Sequence, residues 1–80
     1  MAYRLNHIHL KAYDPGAAAA WWSDAFGFAV VSDRVRDQGD RFIVCETADG
    51  TRLAISGART GEALAAGDAG VSAGLEHFGL

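Results

Sequence analysis

Leu5-Asn6-His7-Ile8-His9-Leu10 is repeated in outline seventy positions later by Leu75-Glu76-His77-Phe78-Gly79-Leu80. Leucine, histidine and leucine coincide, and Ile8 is matched by the apolar Phe78. A recurrence of such long period implies that one structural unit is complete and a second has begun. It also places His7 and His77 at equivalent positions of two equivalent strands. Paired imidazoles of that kind can bind a metal ion.

Around the first copy, residues 3–12 alternate. Tyr3, Leu5, His7, His9 and Lys11 fall on one face, and Arg4, Asn6, Ile8, Leu10 and Ala12 on the other. A period of two predicts a strand whose Ile8/Leu10/Ala12 face packs under a helix and whose other face carries both histidines. Asp14-Pro15 then signals a helix start: the carboxylate can accept from first-turn amides, and proline suits the first helical position. Ala18, Trp21, Trp22, Ala25 and Phe26 recur at helical spacing and predict one apolar face, with both tryptophans in the core. Gly27 supplies a left-handed stop, so the helix is expected over about 15–26.

Three further strands follow. Residues 28–36 contain the strand formers Phe28, Val30 and Val31, and Asp37-Gln38-Gly39-Asp40 is a turn. Residues 41–48 set Phe42, Val44 and Glu46 on one side and Ile43, Cys45 and Thr47 on the other. Asp49-Gly50 is a hairpin signal leading into a strand over 51–56. The predicted order is β-α-β-β-β, an α+β fold over residues 1–56. In residues 57–74, eleven of eighteen are glycine or alanine. This stretch reads as a linker with a weak helical turn near 62–66. Residues 75–80 then begin a second module with its first strand.

Eighty residues make one small domain, and such a domain buries only about 60% of its unfolded surface. The single Cys45 cannot close an internal disulfide, so a metal or a partner chain is the expected source of extra stability. One cysteine and the absence of a signal-peptide pattern predict a reducing, cytoplasmic setting. The formal net charge is −3, and the seven basic residues are scattered among ten acids. No basic stripe exists to neutralise phosphates, so nucleic-acid binding is excluded. No apolar run approaches the ~20 residues that span a membrane.

These residues resemble the vicinal oxygen chelate superfamily, which includes glyoxalase I, extradiol dioxygenases, fosfomycin-resistance enzymes and bleomycin-binding proteins. The resemblance rests on His7-Ile8-His9-Leu10 in the first strand and on Asp14-Pro15 opening the helix. Its most specific part is Trp21-Trp22-Ser23-Asp24-Ala25-Phe26-Gly27-Phe28: two aromatics, a polar pair, two apolar residues, then Gly-Phe. The resemblance implies a glyoxalase/bleomycin-resistance/dioxygenase-type βαβββ module, two of which form a cupped sheet around a site. By the same resemblance His7 matches the first-strand metal ligand and His77 its counterpart in the second module. The family's carboxylate ligand from a last strand has no equivalent in Leu53-Ala54-Ile55-Ser56. The site is therefore expected to be completed by a partner chain or by a segment outside this sequence.

His9, Tyr3, Phe42 and Glu46 are expected to line the pocket, His9 as a wall or as a hydrogen-bond donor beside the site. Glu46 can also serve as a ligand or base, although the family pattern does not match a ligand at this position. Cys45 should face the helix as a buried, inert thiol. The expected function is a metal-dependent enzyme acting on a small oxygen-rich substrate, a lyase, isomerase or ring-cleaving dioxygenase, with Zn, Ni, Mn or Fe as its divalent metal ion. The alternatives are a metal-free small-molecule binding module of bleomycin-resistance type and an inactive truncated fragment. A strand at 75–80 without a hairpin partner invites another chain, which predicts a homodimer.

Overall fold

Asp14 and Gly27 bracket the helix in a computed structural model of the protein, which describes residues 2–67, 70, 73–75 and 77–80. The Asp14 carboxylate accepts the Ala17 N–H at 3.1 Å, and Pro15 occupies the first helical turn. Gly27 sits at φ +72°, and its N–H donates to Ser23 O at 2.8 Å. These two caps confine helix α1 to Pro15–Phe26, as the sequence predicts.

The strands are β1 (His7–Lys11), β2 (Ala29–Val35), β3 (Arg41–Glu46) and β4 (Arg52–Ser56). They form one mixed sheet in the order β1-β4-β3-β2. β2, β3 and β4 are antiparallel neighbours, whereas β1 runs parallel to β4. A parallel pair needs a long return path, and here α1, β2 and β3 together provide it. Val31 is passed over in the β2–β3 register, between Val30↔Cys45 and Ser32↔Val44, a bulge that resets the alternation.

Helix α1 covers one face of the sheet. Ile43 and Cys45 of β3 and Leu53 and Ile55 of β4 form the buried core with Ala19. Ile8, Leu10, Ala12, Trp22 and Phe28 pack around them. Because pairing keeps register partners on the same side, the other face carries His7, His9 and Lys11 of β1. Beside them stand Arg52, Ala54 and Ser56 of β4, and then Phe42, Val44 and Glu46 of β3.

Several expectations are corrected. β1 starts at His7 rather than Tyr3, because its partner β4 starts at Arg52, which pairs with His7. The carbonyl of Asn6 still accepts the Arg52 N–H at 3.0 Å, and farther back Tyr3 is 91% exposed. Only Trp22 of the two tryptophans reaches the core: Ala19 and Trp22 face the sheet, and Trp21 stays 57% exposed with its ring edge-on to Trp22 and Phe26. The turn expected at 62–66 lies instead at Thr60–Gly61, where the Glu62 N–H donates to Arg59 O. The described residues of 75–80 are in no strand here. Phe78 stacks near Trp22 instead, with ring centroids 6.2 Å apart, and Glu76 lies outside the described residues. A strand hydrogen-bonds only to a neighbour, and β1 has a pairing partner on its β4 side alone.

Candidate functional site on the open face of the sheet

The polar side chains converge on the sheet face that α1 leaves uncovered. At its centre the His9 ring lies 2.7 Å, through Nε2, from Ser56 Oγ on the neighbouring strand β4. Register explains the contact: His9 pairs with Ala54 in the parallel ladder, and Ser56 is the next β4 residue on the same face. Ser56 is fully buried, which removes it as an accessible nucleophile and makes it a partner for the imidazole. The His9 ring also meets Phe42 edge-on, with centroids 5.4 Å apart and planes at 77°.

Phe42 also carries a charge over its ring. The Arg36 guanidinium lies 4.2 Å from the Phe42 centroid, and the same group donates through Nε and Nη2 to Asp40 Oδ2 at 2.8 and 2.5 Å. Asp40 is 1% exposed, and without Arg36 it would be a buried lone charge. The hydrogen bonds from Arg36 hold its carboxyl below the usual aspartate range, against the opposing effect of desolvation. The turn that brings the pair together is closed by Gly39 at φ +86°, whose N–H donates to Arg36 O, and by the Arg36 N–H donating to Asp40 O.

The surroundings of His9 favour its neutral form. Desolvation is the main cause that lowers its pKa, followed by the positive charges of Lys11 and Arg36 and the neighbouring His7, while Asp40 acts in the opposite sense. Lys11 donates to Gly57 O at 3.1 Å, which keeps its ammonium beside Ser56.

The residues expected to bind metal fall apart in space. His7 is exposed on the open face, and its Nδ1 lies 2.9 Å from Asn6 Oδ1. Asn6 Oδ1 can only accept, so Nδ1 donates in this contact, and in the neutral imidazole Nε2 is then the nitrogen that suits a metal. His77 lies on the helix side, lining a cavity with Trp21, Trp22 and Phe26. Glu46 stands in the same cross-strand row as His7, but Arg52 stands between them and donates to Glu46 Oε2 at 3.3 Å. No three His, Cys, Asp or Glu side chains come together among the described residues. Among the described residues His7 is thus a single available donor, with no second ligand gathered beside it.

Of the expected pocket residues, His9, Phe42 and Glu46 share the open face, and Tyr3 stands apart from it. Arg36, Asp40 and Ser56 are the members that sequence reasoning missed. The charges around the β2–β3 turn read as a solvated face, and only the return of the turn over Phe42 draws Arg36 and Asp40 inward. Cys45 faces the helix as expected, buried in a setting that pushes its thiol pKa up, away from nucleophile chemistry. A cavity of about 630 Å³ lies elsewhere: a mainly apolar cleft lined by Leu5, Ile8, Phe28, Leu53 and Phe78, together with Arg4. It holds none of the three histidines, so volume and chemistry do not coincide.

No helix among the described residues is long and apolar enough to cross a membrane. Neither the curated proteins nor the solved structures contain a match to the chain. The family model of the Glyoxalase/Bleomycin resistance protein/Dioxygenase superfamily matches residues 4–80, nearly the whole sequence. With one helix crossing the four-stranded mixed sheet of a βαβββ unit, the chain belongs to that superfamily.

Proposed function

We propose that this superfamily domain binds a small, oxygen-rich molecule on the open face of its sheet. The observation that carries the reading is the convergence of His9, Ser56, Phe42, Arg36 and Asp40 there, with the buried carboxylate already paired. An aromatic floor, a neutral imidazole and nearby cations suit a flat ligand bearing neighbouring oxygens. One sheet face is half of a cup, and a second copy or a second module supplies the other half. β1 is an edge strand through which such a module can join. The test is an NMR titration of metal-stripped, ¹⁵N-labelled protein with oxalate and with catechol. Shifts at Phe42, Ser56 and Arg36 are expected. Shifts confined to the apolar cleft near Leu5 and Phe28, or none, would overturn the reading.

A second reading is metal-dependent chemistry of the lyase, isomerase or dioxygenase type, favoured by the Asn6 contact that leaves His7 Nε2 available. A bound divalent ion would supply Lewis acidity toward two ligand oxygens. In this reading His7 contributes one ligand, and the remaining ligands come from the other half of the cup. Elemental mass spectrometry after incubation with Zn²⁺, Ni²⁺, Mn²⁺ and Fe²⁺ decides it. Metal that is retained by the wild type and lost in His7→Ala is the expected result, and equal retention removes the reading.

A further inference from the structure

We infer that Ser56 locks His9 in the tautomer protonated at Nδ1, which makes His9 the hydrogen-bond donor to an anionic oxygen of the ligand. The inference rests on the proposed open-face binding site and assigns one residue its role in it.

The argument is one of hydrogen-bond satisfaction. The Ser56 hydroxyl is fully buried, and among the described residues its oxygen has one side-chain partner, His9 Nε2 at 2.7 Å. If Nε2 carried the proton and donated to Oγ, the hydroxyl hydrogen would be left buried with no acceptor. If the hydroxyl donates to Nε2, every polar atom is paired. A neutral imidazole that accepts at Nε2 must carry its proton at Nδ1. In water the histidine side chain favours the other tautomer, so the serine reverses an intrinsic preference.

Nδ1–H is then the donor that His9 has to offer, since no Nδ1 partner occurs among the described residues and the side chain is exposed. Phe42 packs against the ring with planes at 77°, which restrains its orientation. Lys11 is the next β1 residue on the same face, Arg36 lies over the neighbouring Phe42 ring, and the Asp40 carboxylate is bound to Arg36. A directed N–H beside two cations matches a carboxylate or enolate oxygen and disfavours a cationic group. The buried Ser56 is a positioning residue. It acts through His9 and is out of a ligand's reach.

The test is long-range ¹H–¹⁵N correlation of the imidazole nitrogens in metal-stripped wild type and Ser56→Ala, each with and without oxalate. The Nδ1–H pattern is expected in the wild type, with a change toward Nε2–H in Ser56→Ala and an oxalate-induced shift at His9 Nδ1 that the variant loses. Oxalate affinity should fall about tenfold in Ser56→Ala, the scale of one directed hydrogen bond. An Nε2–H wild type overturns the inference while leaving the binding reading intact if Phe42 and Arg36 still shift. The Nδ1–H pattern with no shift anywhere on the face overturns the binding reading and the donor role together. Should Ser56→Ala fail to fold, the wild-type tautomer and its response to oxalate decide alone.

Discussion

Arg36 lies over the face of Phe42 at 4.2 Å while donating twice to the buried Asp40, so one guanidinium neutralises a carboxylate and roofs an aromatic ring. Only a planar, multi-donor cation can do both. Arg36→Lys preserves the charge and loses the fork and the stack. The stacking part alone is worth about 0.5–1 kcal/mol at a half-exposed site. A lower urea midpoint with an unchanged slope is the expected result, and an unchanged midpoint would mean that the stack adds nothing.

Acid should expose the Asp40 contribution. Its carboxyl pKa is lowered in the folded state from an ordinary 3.8, chiefly by the Arg36 hydrogen bonds. The folded state thus binds its proton less readily than the unfolded state. The stabilisation is complete above the unfolded-state value and is lost as pH falls through the folded-state value. Wild-type stability should begin to fall near about pH 4 and continue downward, with Asp40→Asn removing that part of the slope. Equal slopes in urea titrations of the two proteins would refute the assignment. Asp33, paired with Arg41 at 2.8 Å, is lowered in the same sense but is exposed and screened, and should contribute less.

Gly39 and Gly27 both hold positive φ, +86° and +72°. A Cβ at Gly27 meets nothing within 4 Å, whereas one at Gly39 would collide with Thr60 Oγ. Gly27→Ala should cost about 1 kcal/mol for conformation alone. Gly39→Ala should cost more, about 1–3 kcal/mol, and should shift the resonances of Arg36 and Asp40, which its turn positions. Thermal unfolding of the two variants side by side gives the ranking. A Gly27→Ala effect equal to or larger than that of Gly39→Ala would contradict the role of Thr60.

Ile43 and Ile55 are register partners on adjacent strands, and both are shielded from water. Ile55→Val should cost about 0.5–1.5 kcal/mol and Ile55→Ala about 2–5. A domain of this size has only about 4–12 kcal/mol in hand, so Ile55→Ala should lose much of its cooperative transition. A transition near the wild-type midpoint would place the core elsewhere.

The sequence by itself determined the elements and the family. Asp14-Pro15 and Gly27 are local signals, read through the backbone within one turn, and they bounded α1 correctly. Alternation separated Ile43 and Cys45 from Phe42, Val44 and Glu46, because side chains in a strand must change sides at every residue. The start of β1 and the exposure of Trp21 were not legible, since each depends on what lies opposite: the start of β4 in one case and the side of α1 that meets the sheet in the other. The site divides in the same way. His9 and Phe42 were readable as open-face residues from strand period. Ser56, Arg36 and Asp40 join them only through the parallel β1–β4 register and the return of the β2–β3 turn, contacts made across dozens of residues or by a fold of the chain upon itself. His7 and His77 look equivalent along the sequence, and the fold places them on opposite sides of the sheet. No local pattern encodes that difference, because the side taken by the residues around Phe78 is set by its packing on Trp22, a contact between positions far apart in the sequence.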